Sequence, residues 1–384
     1  MWIILFILAF EFETLKPKLM KHLSLHSFFL LALLAFGMGC GSDDAPVYTF
    51  PSRPAEEEPD KPGPGPDEPG PGPDEPVDPD GDYPKGMTVD FKELELDGKT
   101  TKVWTVMVDF EANPKLRFNP LHIQPAKTPT SVFTHAQTLG IGTPYITTNG
   151  GYFWDGASLS LCVNEGKIES SPANGLIYPT VDGEQIVGIP VRAAFGQMAD
   201  GTFEATWCQI AAEDRDHVYS FPSPLDNDEQ KGIYMTSYPS NTIEGARLWE
   251  PRNAIGGGPM LVYDGENVAM DYYWRECLDA GGTQGTLLVQ RTAIGGTKDG
   301  KKLMLVVTGG RNIDGSAGLN LTQLANLFVE AGMDYAVNLD GGGSSTMVGF
   351  DGSLLTTCAG DKNSSGNYIQ RTVPTAIVLT QIGE

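Results

Sequence analysis

Residues 318–350 read "GLNLTQLANLFVEAGMDYAVNLDGGGSSTMVGF", and their changing period decides how the rest of the chain is read. Leu321, Leu324, Ala325, Phe328 and Val329 recur three and four residues apart, which puts them on one stripe of a helix over 318–333. Asn320 can cap its start with a side-chain oxygen, and Gly332 can take the left-handed conformation that ends it. The run "DYAVNLD" (334–340) then reads as a buried strand with Asp340 at its end. Gly341, Gly342 and Gly343 follow, and after them the hydroxyl residues Ser344, Ser345 and Thr346. Glycine permits positive φ and close approach to the main chain, so an acid held beside such a turn is a candidate for chemistry.

Working outward, "TKVWTVMVDF" (101–110), "KLRFNPLHI" (115–123) and "VPTAIVLT" (373–380) have the β-branched and aromatic character of strands. "PYITTNGGYF" (144–153) runs from a strand into a glycine turn, and "AIGGGPMLV" (254–262) runs from a glycine loop into a strand. "TLLVQRTAIG" (286–295) and "KLMLVVTGG" (302–310) pair across the turn "GTKDGKK". A short helix is expected over 128–140, stopped by Gly140, whereas 193–249 is aromatic and shows no regular period. The expected fold class is α+β, a mixed and mostly antiparallel sheet system with few helices, built as one large domain over 83–384.

The first 82 residues have another character. From Met20 the chain reads "MKHLSLHSFFLLALLAFGMGCGSDD": a basic start, an apolar run over 28–36 and small residues before Cys40. This resembles a bacterial lipoprotein signal peptide spanning 1–40, with translation starting at Met20 and Cys40 as the lipidated residue. The expectation is a lipid-anchored protein of the cell envelope, at the outer membrane or cell surface, with the membrane reached through Cys40. Residues 41–82 form an acidic, proline-rich linker that repeats "PGPDEP" at 64–69 and 71–76. Such a composition cannot bury a core and favours polyproline II, with a reach on the order of 100 Å over the proline-rich part.

The formal charge is −23, of which the linker contributes −11 and residues 83–384 contribute −13, against +1 for residues 1–40. An acidic domain argues against nucleic acid as a partner and requires any anionic ligand to meet a local cluster of cations. Arg252, Arg291, Arg311 and Arg371 each sit beside a strand end or glycine turn, and the guanidinium fork suits phosphate or carboxylate. Beyond Cys40, the cysteines Cys162, Cys208, Cys277 and Cys358 allow three pairings between which the sequence cannot choose, and no spacing suited to zinc occurs. The glycine turns at 150–151, 256–258 and 341–343 match neither a P-loop, a dinucleotide loop nor a G-x-S-x-G elbow. With His122, His135 and His217 the only histidines outside the signal region, none in a suggestive context, a serine-hydrolase arrangement is disfavoured.

"TNGGYF", "AIGGGPMLV", "RTAIGG", "LVVTGGR", the 318–348 segment and the closing "QRTVPTAIVL" together resemble the phosphodiester glycosidase family over roughly 144–380. The resemblance implies a hydrolase that cleaves a sugar, GlcNAc-like, from a sugar-1-phosphodiester, with a phosphorylated glycan as its partner. It assigns Asp340 as the acting carboxylate, whether nucleophile, base or transition-state stabiliser, and Asn149 as its companion at the sugar. Arg291, Arg371 and Arg311 are expected on the phosphodiester. Gly150, Gly151, Gly341, Gly342, Gly343, Ser344, Ser345 and Thr346 are expected to line the substrate. One departure is Gly309, where the family usually carries an acid. A second carboxylate would come from Asp155, Glu165 or Asp314. No cofactor is implied, and a divalent cation in the Asp/Asn-rich pocket is left open. The reading from another class is a non-catalytic, glycan-binding surface lipoprotein.

Overall fold

The structure, a computed structural model, describes residues 83–180, 182–279 and 283–383; the expected signal peptide, Cys40 and the linker lie outside the described residues. Three antiparallel sheets carry most of it. The first has seven strands in the order Met87–Leu96, Lys99–Asp109, Lys302–Thr308, Thr292–Gly296, Tyr335–Asn338, Met260–Tyr263 and Glu266–Asn267. In its middle, Ile294 pairs with Val337 on one side and Leu305 on the other.

The segment "KLMLVVT" has no polar face because both faces of this sheet are covered. Leu303, Leu305 and Val307 point into a core shared with the second sheet, while Met304 and Val306 point to the opposite side. That opposite side is covered by the helix α2 (Leu321–Glu330), which contributes Leu321, Leu324, Ala325 and Phe328. Asn320 caps it in a capping box with Gln323, and Gly332 follows at φ 72°. Val329, expected on the buried stripe, is 37% exposed, because the apolar face is narrower than its sequence spacing implied.

The second sheet comes largely from the stretch in which the sequence showed no period. Its order is Arg247–Leu248, Val218–Phe221, Phe203–Ile210, Arg192–Gln197, Asn253–Gly256, Cys162–Asn164 and Lys167–Ser170. Phe195, Phe203, Trp207 and Phe221 meet the first sheet in the central core. The third sheet, in the order Met347–Val348, Thr143–Asn149, Val373–Gln381 and Leu116–Lys127, is backed by the helix α1 (Pro129–Ala136) through Val132 and Ala136. The 286–291 part of one expected strand is instead loop with an isolated bridge at Val289. The fold is α+β and mostly antiparallel, with two α-helices among the described residues. Cys162, Cys208, Cys277 and Cys358 are all free, the first three of them buried.

Candidate active site

Two strands from different sheets end at the same place. Tyr335–Asn338 runs between two neighbours in the first sheet and delivers Asp340; Thr143–Asn149 runs between two neighbours in the third and delivers Asn149. The Asp340 N–H donates to Gly150 O (3.1 Å), and Asn149 Nδ2 donates to Asp340 O (2.6 Å). The glycine turn at 256–258 joins them, since Gly258 N donates to Asn338 O (2.8 Å) and Tyr152 Oη donates to Gly258 O (2.7 Å). Asn338 Nδ2 in turn donates to Tyr152 Oη at 2.8 Å. All three glycine-rich turns therefore meet at the strand end that leads into Asp340.

Each glycine has an identifiable neighbour. A β-carbon on Gly342 would stand 3.1 Å from Arg311 Nη2, and one on Gly343 would stand 2.8 Å from Arg371 Nη2. The turn is thus bare where two guanidinium groups lie against it. The remaining expected glycines serve chain packing: a β-carbon on Gly150 would meet Thr375, on Gly151 the Gly256 carbonyl, and on Gly341 the Gln290 carbonyl. Substrate contact was expected of all five; the space around Gly150, Gly151, Gly341 and the buried Gly343, against which Gly360 Cα also packs, is already filled by protein.

Asp340 is half-buried. Burial pushes its carboxyl up to about 6, while the Ser344 hydroxyl, the Arg371 charge and the Gly341 N–H pull in the opposite direction. The Ser344 hydroxyl is itself buried and makes no hydrogen bond of regular geometry. Arg371 donates from Nε (3.2 Å) and Nη2 (3.1 Å) to Asp361 Oδ1, a partner that nothing in the sequence singled out. Arg311 is exposed at the turn, with φ 54°.

Several expected substrate contacts are occupied from within. Arg291 is 2% exposed, and its fork donates to the carbonyls of Thr283 (2.8 Å), Leu319 (3.0 Å), Gln284 (3.1 Å) and Leu287 (3.1 Å). Burial pulls its pKa down to about 10, so it stays charged at neutral pH. It staples the loop behind the site and does not face a phosphodiester. Asn149 is fully buried: its Nδ2 holds the Asp340 carbonyl, and its Oδ1 accepts from Thr292 Oγ1 (2.9 Å) and Thr346 N (3.3 Å). Its amide clamps the acid-bearing turn, which leaves no free end for a sugar hydroxyl. Ser345 and Thr346 are buried in the same network, with Ser345 Oγ 3.2 Å from Thr292 Oγ1. They support the turn from inside.

Of the candidate second carboxylates, Glu165 pairs with Arg252 (2.9 Å) at a cleft of about 350 Å³ that shares no residue with the glycine turns. Arg252 thereby also leaves the expected anion cluster. Asp155 sits at φ 47° in a small hairpin, and Asp314 accepts from Lys102 Nζ at 2.6 Å. A β-carbon on Gly309 would meet Ser316 Oγ at 2.5 Å, so that serine fills the space beside the expected acid's position. One buried acid was missed altogether. Glu276 is fully buried among the aromatic residues and accepts from Ala193 N, Trp207 Nε1 and Met260 N, each at 2.8 Å. Burial pushes it up to about 7, opposed by those three N–H groups. Only the tertiary fold brings these donors together. Among the described residues no group of three or more His, Cys, Asp or Glu side chains is placed to hold a metal ion.

The structure is similar to the catalytic domain of zebrafish N-acetylglucosamine-1-phosphodiester alpha-N-acetylglucosaminidase, there auto-inhibited by its pro-peptide. That similarity has a TM-score of 0.51 at 19% identity and covers 80% of this chain and 87% of that one. A hypothetical protein from Synechocystis is similar at TM-score 0.44 and 18% identity, over 77% of this chain and 62% of the other. No curated protein matches the sequence. The model of the phosphodiester glycosidase family matches residues 143–380, more than half of the chain. That span contains both converging strand ends, all three glycine turns and both arginines at the turn, and this chain belongs to the phosphodiester glycosidase family.

Proposed function

We propose that the domain hydrolyses a sugar-1-phosphodiester at the anomeric carbon, with a GlcNAc-like sugar as the released group. The observation that carries this is one half-buried carboxylate, Asp340, beside a bare glycine turn flanked by the guanidinium groups of Arg311 and Arg371. A phosphodiester needs cationic groups and N–H donors on its oxygens, and the sugar carbon needs a carboxylate within reach. Arg371 and Arg311 take the phosphate, and Asp340 acts at the anomeric centre as base, nucleophile or charge stabiliser. A phosphate monoester is a good leaving group, so strong general-acid assistance is dispensable. With its carboxyl titrating at about 6, Asp340 is ionised at neutral pH, as each of these roles requires.

The test is turnover of GlcNAc-1-phosphodiesters by the soluble domain and by Asp340→Asn. Loss of turnover by about a hundredfold or more in the variant is expected. Binding without turnover by the wild type across a broad panel would favour a glycan-binding surface protein instead. We also propose that the domain is held at the cell envelope through lipidated Cys40 at the end of the acidic linker. Mass spectrometry of the mature N-terminus tests this, and an unmodified Cys40 would refute it.

A further inference from the structure

The loop 309–317 carries Arg311 to the turn along an unusual track. Arg311 (φ 54°), Asn312 (φ 57°) and Asp314 (φ 52°) all adopt the left-handed region. Residues with side chains seldom go there, and such backbone persists only where the surroundings over-determine it. The surroundings here are specific. Asp314 Oδ2 accepts from Lys102 Nζ (2.6 Å) and Thr357 Oγ1 (2.9 Å). Lys102 N donates to Ser316 Oγ (3.0 Å), and Gly309 N donates to Lys102 O (2.9 Å), so one strand residue grips the loop at three points. Thr357 follows Thr356, whose Oγ1 accepts from Met347 N (3.0 Å) directly after the glycine and hydroxyl turn. Gln290 braces the gap from below: Gly342 N donates to its carbonyl (2.9 Å), and its Nε2 donates to Gly310 O (3.0 Å).

We propose that Asp314 is a positioning residue that fixes the left-handed loop so that Arg311 lies on Gly342, ready for an anionic oxygen of the substrate. This deepens the sugar-phosphodiester reading and rests on it for the identity of the anion. Asp314 pairs with Lys102 rather than with the arginine three residues before it, so the loop is held without an acid drawn onto the guanidinium. The carboxylate acts through Arg311 and touches no reacting atom.

Wild type, Asp314→Ala and Asp314→Asn, each with and without Arg311→Ala, separate this role from others. The readouts are kcat and KM on a GlcNAc-1-phosphodiester, the Kd for inorganic phosphate by calorimetry, and a melting curve for each variant. Asp314→Ala is expected to raise KM and the phosphate Kd by about tenfold, with kcat within about twofold. Asp314→Asn, which keeps a neutral acceptor for both donors, should recover part of that loss. In the Arg311→Ala background neither change should add anything, because the partner through which Asp314 acts is gone. A kcat loss at unchanged KM, full additivity with Arg311→Ala, or a wild type that binds no phosphate would overturn the proposal. If Asp314→Ala does not fold, the asparagine variant carries the test, and wild-type affinity in it would refute the role. A wild type that binds phosphate through Asp314 and Arg311 but turns over no phosphodiester would refute the catalytic reading and leave this assignment standing.

Discussion

Replacing Asp340 by asparagine removes a charge from a place that resists it. The carboxyl titrates at about 6 in the fold, against 3.8 for an unburied aspartate, with burial as the dominant cause. A carboxyl whose folded pKa is raised stabilises the fold fully below its unfolded pKa and loses that contribution as pH rises through the folded one. Ionised Asp340 therefore costs stability at neutral pH. About two pKa units at 1.36 kcal/mol each set an upper bound of about 3 kcal/mol. Since the group is only half-buried, solvent screening brings the expectation to about 1–2 kcal/mol. Asp340→Asn should be more stable than the wild type at pH 7.5, by a few degrees in melting temperature for a domain of this size. The gap should close as pH falls from about 6 toward 4, where the wild-type carboxyl protonates. The same variant should lose turnover by about a hundredfold or more. Urea unfolding at pH 4.5 and 7.5 with parallel turnover assays measures both. A variant less stable than wild type at pH 7.5, or a gap independent of pH, would refute the burial argument, and wild-type turnover would refute the catalytic one.

The wild-type kcat/KM should fall below about pH 6 as Asp340 protonates, and a profile flat from pH 5 to 8 would remove Asp340 from the chemistry. Arg291→Met should lower stability by about 2–4 kcal/mol, read by chemical denaturation, because four backbone carbonyls lose their donor. A folded variant with normal stability and a raised KM would instead restore Arg291 to the substrate. Glu276→Ala should destabilise by about 3 kcal/mol or more, since it leaves three buried N–H groups unpaired. With Glu276 raised to about 7, the wild type should itself lose stability as pH rises from about 5 through 7 relative to Glu276→Gln. Gly342→Ala should raise KM several-fold in initial-rate assays, because its β-carbon would press on Arg311 Nη2, and should cost about 1 kcal/mol for the φ of 58°.

The helix α2, the strand after it and the acid-bearing turn were legible in the sequence because each rests on local rules: a period near 3.6, a capping asparagine, an apolar run and a glycine stop. Asp340 stood out for the same reason, being one acid between a buried strand and three glycines. The second sheet was not legible, since its strands are buried on irregular faces and its aromatic residues pack against partners distant in sequence, such as Phe195 against Phe118. The same limit separates the arginines. Arg291, Arg311 and Arg371 look alike beside a strand end or glycine turn, and only the fold decides that the first is enclosed by carbonyls, while Arg311 is exposed at the turn and Arg371 lies there paired with Asp361. Asn149 likewise looked like a ligand and is a clamp, because the strand end that carries it meets Asp340 across two sheets. The sequence by itself determined the helix, the strand and the sharp turn that present Asp340, and the family they belong to. The tertiary structure decided which polar groups are left unspent: a side chain is available to a substrate only where packing has not already supplied its partners.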